Sequence, residues 1–152
     1  MASLAAFLVG VVAGPLLAPP TAQAQIAVIV NKSNPISGLT LADLEKLYLG
    51  RTTTFPHGAA VALGEYRPAR RSFYRTVLHL SETAVSRHWI GVVFSERAAT
   101  PPKEFRDPEA AQRFVASTPG AICFILLAAV EDEVKVLTIG GIDPRDPAYP
   151  LR

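Results

Sequence analysis

The apolar positions fall into separate runs divided by polar or proline-rich breaks. Ile26 to Val30 is unbroken and mostly β-branched, the pattern of a strand buried on both faces. Asn31 to Gly38 ends it with turn residues, Asn34-Pro35 among them. Thr40 offers an N-cap for a helix over Leu41 to Leu49. Leu41, Leu44, Leu47 and Tyr48 sit at helical spacing, and Gly50 suits the residue beyond the helix end. Thr52 to Gly58 reads as a loop and Ala59 to Leu63 as a short strand. Gly64 to Ser72 reads as a loop opening a helix near Pro68, with Phe73, Val77 and Leu80 on its buried side. Ser81 caps a further helix, with Glu82 in the first turn where the helix dipole favours negative charge. Val85, Trp89, Val92 and Val93 are expected to face inward along it. After a loop marked by Pro101-Pro102, Asp107-Pro108 pairs an N-cap with proline at the first helical position and opens a helix to about Ser117. Pro119-Gly120 turns the chain into two strands, Ala121 to Leu127 and Val134 to Ile139.

This order predicts an α/β fold: a single lobe with a small mixed sheet of about four strands covered by helices. Leu47, Phe73, Trp89 and Phe114 are expected to be largely buried in it. Residues 1 to 24 stand apart, because they carry no charge. Leu4 to Val12 is too short an apolar run for a membrane span of roughly 20 residues. Ala22-Gln23-Ala24 has the small–x–small pattern of a signal-peptidase site, although the start lacks Lys or Arg. The expectation is a signal peptide over 1–24 and a periplasmic domain over 25–152.

Composition changes this picture little. With 49% hydrophobic and 18% charged residues, the chain is an ordinary globular one, which excludes a disordered or collagen-like protein. A net charge of +2 is too small to argue for nucleic acid. The single cysteine, Cys123, excludes an internal disulfide and any cysteine-based zinc site. It lies in an apolar strand, where packing is the expected role. His57, His79 and His88 lack metal-ligand spacing, so no metal is expected. No nucleophile elbow, phosphate loop or dinucleotide fingerprint occurs, so neither a catalytic residue nor a cofactor is assigned and the chain reads as a non-enzyme.

The chemistry that remains is a cluster of basic residues, Arg67, Arg70, Arg71 and Arg75, with Ser72 among them. Guanidinium groups, a hydroxyl and the free N–H groups of a helix start would suit an oxyanion. Glu65 is the nearby acceptor for a ligand proton. The same spacing, Arg67 to Arg71 and Arg71 to Arg75, would also make a solvated basic helix face.

Several segments together resemble the periplasmic phosphate-binding proteins of ABC importers. Leu47-Tyr48-Leu49-Gly50-Arg51 resembles their F-L-G-K helix end. Arg70-Arg71-Ser72-Phe73-Tyr74 resembles the helix after their S-G-T-x-x-x-F loop. Trp89, with Phe94 and Pro101-Pro102, is similar to the segment that follows, and Thr118-Pro119-Gly120-Ala121-Ile122-Cys123-Phe124 resembles T-P-G-A-I-G-Y. Arg67-Pro68-Ala69 stands where S-G-T would be, and Cys123 replaces the glycine. The resemblance implies one lobe of the type 2 periplasmic-binding fold, similar to its short phosphate-binding-like members. It implies an extracytoplasmic solute-binding protein for phosphate or a similar oxyanion, held by Arg67, Arg70, Arg71 and Ser72. A membrane permease or sensor would be the partner, and a homodimer could rebuild a two-walled cleft. The alternative is a non-transporting interaction or sensing module with a degenerate ligand site.

Overall fold

The computed structural model describes residues 25–152, so the expected signal segment lies outside the described residues. Ile26–Val30 forms β1, with all five residues buried. A two-residue strand, β2 (Gly38–Leu39), leads into α1 (Leu41–Tyr48). Thr40 caps α1 in a full capping box: its hydroxyl accepts from the Asp43 N–H, and the Asp43 carboxylate accepts from the Thr40 N–H. Beyond the C-cap Leu49, Gly50 takes φ +66°, where a Cβ would lie 2.9 Å from the Trp89 ring and 2.8 Å from Ala99. Only glycine lets α1 end against that indole.

Strand β3 (Ala62–Tyr66) runs directly into a helical stretch: a 3-10 turn (Arg67–Ala69), the short α2 (Arg70–Phe73) and a π turn (Tyr74–Leu78). His79, in the left-handed region at φ 55°, ends that stretch. Ser81 caps α3 (Glu82–Phe94) through the Ala84 N–H. Then come β4 (Lys103–Phe105), α4 (Pro108–Ser117) capped by Asp107, β5 (Ala121–Leu126), β6 (Lys135–Val136) and β7 (Thr138–Ile139).

Five strands form one mixed sheet in the order β4-β3-β5-β1-β6, while β2 and β7 pair separately in parallel. β3 is parallel to β4 and β5, as its helical crossovers require; β1 is antiparallel to β5 and β6. The core lies where Tyr48, Phe73 and Phe124 meet. Phe73 and Phe124 stack with centroids 3.9 Å apart, Tyr48 meets Phe73 edge-on at 4.8 Å, and the Tyr48 hydroxyl donates to the Gly64 carbonyl at 2.8 Å. Buried Asn31, just after β1, donates to the Val115 and Ala116 carbonyls and so closes the end of α4.

The architecture agrees with the expected α/β lobe, and the differences are local. The strand expected over Ala59 to Leu63 lies three residues later. Ala59 and Ala60 are held in a turn through bonds with Phe55 and a bridge to Thr54, and pairing with β5 begins only at Ala62. The strand expected over Val134 to Ile139 splits, because Leu137 passes the chain from β1 to β2. Strands β2 and β4 were not expected; both are too short for a period to show. Val93 points outward rather than into the core, and Phe114 and Leu80 are only half-buried. Leu47, Phe73 and Trp89 are buried as expected. Cys123 is fully buried, and burial pushes its thiol pKa up, away from the reactive thiolate. No helix among the described residues is long and apolar enough to cross a membrane.

Candidate oxyanion site at the end of strand β3

β3 carries a carboxylate into the interior: Glu65 is only 6% exposed. The chain then leaves the sheet at Tyr66, and Pro68 opens the helical turn without a side-chain cap. Arg70 therefore sits one turn above Glu65 and folds back over it. Its Nη1 donates to Glu65 Oε1 at 3.1 Å and to Glu104 Oε2 at 2.8 Å, and its Nε donates to Glu82 Oε1 at 2.8 Å. These three acids come from β3, β4 and the first turn of α3. The Tyr74 hydroxyl donates to the other oxygen of Glu65. Glu65 thus has two partners, as a buried carboxylate requires.

The neighbouring arginines join the edge of this network. Arg67 lies 3.7 Å from Glu104, Arg71 lies 3.7 Å from Glu82, and Arg106 lies 3.9 Å from Glu104. Four guanidinium groups therefore share three carboxylates, so most of the cluster's charge is balanced within the fold. Partial burial works against the charge on Arg70, but the bonds and charges of Glu82 and Glu65 outweigh it and raise its pKa above the ordinary value. Burial, then the charge of Glu65, raises the Tyr74 hydroxyl in the same way. The bond from Arg70 holds Glu82 below its ordinary pKa.

Of the residues singled out from sequence, the structure brings Arg67, Arg70 and Arg71 together. Ser72 is exposed and outside the ion-pair network, as is Arg75. Arg71 keeps 77% of its side chain exposed and Arg67 keeps 50%, so these two, with Arg75, are the cluster's cations open to a ligand. Beside them runs an open groove of about 610 Å³ lined by Arg71, Arg75, His79, Ser81, Glu82 and Thr83. Glu82, Glu104 and Tyr74 are not assigned to the site by the sequence. The Lys-Glu-Phe alternation around Glu104 was the available hint, but it does not say which residue the carboxylate meets.

No protein-family profile matches the chain. Solved structures do. An ABC-type phosphate transport receptor from Vibrio cholerae superposes with a TM-score of 0.63 at 20% identity, over 79% of this chain and 48% of the receptor. PstS from Borrelia burgdorferi superposes with a TM-score of 0.63 at 14% identity, over 84% of this chain and 53% of PstS. The chain thus has the fold of a single lobe of these phosphate receptors and spans about half their length. At such identities the likeness concerns the fold.

Proposed function

We propose that the chain is a non-catalytic, extracytoplasmic binding module on the phosphate-receptor fold, and that it works by docking on a partner rather than by closing a pocket around free phosphate. The observation that carries this reading is the charge balance at Arg70, whose Nε and Nη1 already serve carboxylates. The guanidinium best placed at the end of β3 already has all its short contacts with Glu65, Glu82 and Glu104. A phosphate dianion brought to Arg70 would face three carboxylates. The uncharged apolar start and Ala22-Gln23-Ala24 support work outside the cytoplasm.

A second reading is favoured by the solved phosphate receptors and by the exposed guanidiniums. In it, Arg67, Arg71 and Ser72 take phosphate or a similar oxyanion, with Arg70 holding the junction, and the module serves an ABC importer. A permease or sensor would be the partner in either case, and a second copy could supply a second wall. Titration calorimetry with phosphate and with sulfate separates the two readings. The docking module gives no heat with either anion at micromolar protein. Tight phosphate binding that falls about tenfold or more in Arg71→Ala would establish the second reading.

A further inference from the structure

Helix α3 turns Val85, Trp89 and Val92 into the core. Its opposite face carries Arg87, Ile90 and Phe94 at three- and four-residue spacing, with Val93 alongside. Phe94 is 83% exposed, Ile90 59% and Val93 54%, and together they make three of the four large apolar side chains exposed among the described residues. Such side chains scattered singly need no explanation, but a group on one helix face marks a contact surface.

A groove of about 670 Å³ runs beside this ridge. Ala84, Gly91 and Ser95 are the small residues lining it, and Arg51, Arg87 and Arg97 its arginines. Gly91 is informative. A Cβ there would meet nothing within 4 Å, so internal packing does not require glycine. Glycine inside a helix is less favourable than alanine. Its effect here is to keep the groove floor clear. Arg87 and Arg97 have no carboxylate within ion-pair distance among the described residues, and Arg51 reaches only Glu45, at 3.1 Å. Glu96, the acid next to the ridge, pairs with none of them.

We infer that this face of α3 docks an acidic, amphipathic helical segment of a partner protein. Its apolar side chains would cover Ile90 and Phe94, its backbone would approach the small residues of the groove, and its carboxylates would pair with Arg87 and Arg97. A polypeptide fits better than a bilayer, because a flat lipid surface would cover the ridge and leave the groove empty. The inference rests on the docking reading above and names its surface.

The test uses the full chain and a synthetic helical peptide of about 18 residues. The peptide contains Leu, Glu and Ala, with the leucines on one face; a counterpart has Lys for every Glu. The acidic peptide should bind, weaken with salt, and bind at least about tenfold more tightly than the lysine peptide. The pair Ile90→Ser with Phe94→Ser, and the pair Arg87→Glu with Arg97→Glu, should each weaken it about tenfold while leaving the melting temperature unchanged. Several results would overturn the inference: no binding of the acidic peptide, equal binding of both peptides, self-association lost in Phe94→Ser, or Phe94-dependent binding to phosphatidylglycerol vesicles. Phosphate titrated into the same samples keeps the two levels apart. Tight phosphate binding removes the docking reading, whereas silence toward both phosphate and peptide removes only this surface.

Discussion

Glu65 places a charge where only 6% of its surface meets water, and such a charge persists because Arg70 and Tyr74 answer it. Removing Arg70 would leave Glu65 with a single neutral partner and leave Glu82 and Glu104 only the longer contacts of Arg71, Arg67 and Arg106. Arg70→Ala should therefore destabilise the fold by about 3 kcal/mol, read as a shift in urea midpoint. Arg70→Lys should recover only part of this, since an ammonium cannot reproduce a planar fork that bridges three acids. A loss below about 0.5 kcal/mol for the alanine variant would show that the network is ornamental. The network also sets an acid limit. Glu82 in this network and Asp43 in the separate capping box of α1 both have lowered pKa values, Glu82 through the bond from Arg70 and Asp43 through its bonds with Thr40. A depressed carboxylate stabilises the fold above its unfolded value, 4.5 for Glu82 and 3.8 for Asp43, and that stability is lost as pH falls through the folded value. Urea midpoints should therefore drop as pH is lowered below about 4.5, and Glu82→Gln should flatten the drop. At this scale the arginines were legible as a cluster, but their partners were not. Glu82 and Glu104 lie 12 and 34 residues from Arg70 in sequence, and only the folded chain brings them together.

Helix starts were the most legible features for α1, α3 and α4, because each is written in a capping residue; the stretch after β3 has no such cap. Thr40, Ser81 and Asp107 occupy the N-cap positions expected of them. Asp107→Ala should cost about 1 kcal/mol, measurable by thermal or urea unfolding. Gly50→Ala should cost more, about 2 kcal/mol, because it combines a left-handed backbone with a Cβ pressed onto Trp89. A neutral Gly50→Ala would mean that the indole has room to move. Strand limits were less legible. An apolar run shows that a segment is buried, but its ends depend on where the neighbouring strand begins to pair. Hence β3 starts at Ala62, opposite Ala121, and the last predicted strand divides between two partners. Val93 misled for a related reason: its place in an apolar run cannot say how wide a stripe of α3 the sheet covers.

As a whole molecule, the chain is one lobe whose stacked Phe73 and Phe124 join the helical stretch after β3 to β5. Phe73→Ala should cost about 3 to 5 kcal/mol and lower the urea midpoint accordingly. Export should leave a protein beginning at Gln25, visible by mass spectrometry; a full-length cytoplasmic product would remove the extracytoplasmic reading. By itself the sequence determined the fold class, the three capped helix starts, the burial of Phe73 and Trp89 and the presence of a basic cluster, because periodicity and capping are local properties of the chain. Only the tertiary structure decided what that cluster does. A charge acts through its nearest opposite charges, and the acids that neutralise Arg70 come from three separate elements. The same is true of the bare face of α3, since exposure is the absence of a neighbour and no sequence pattern records which neighbours a fold leaves out.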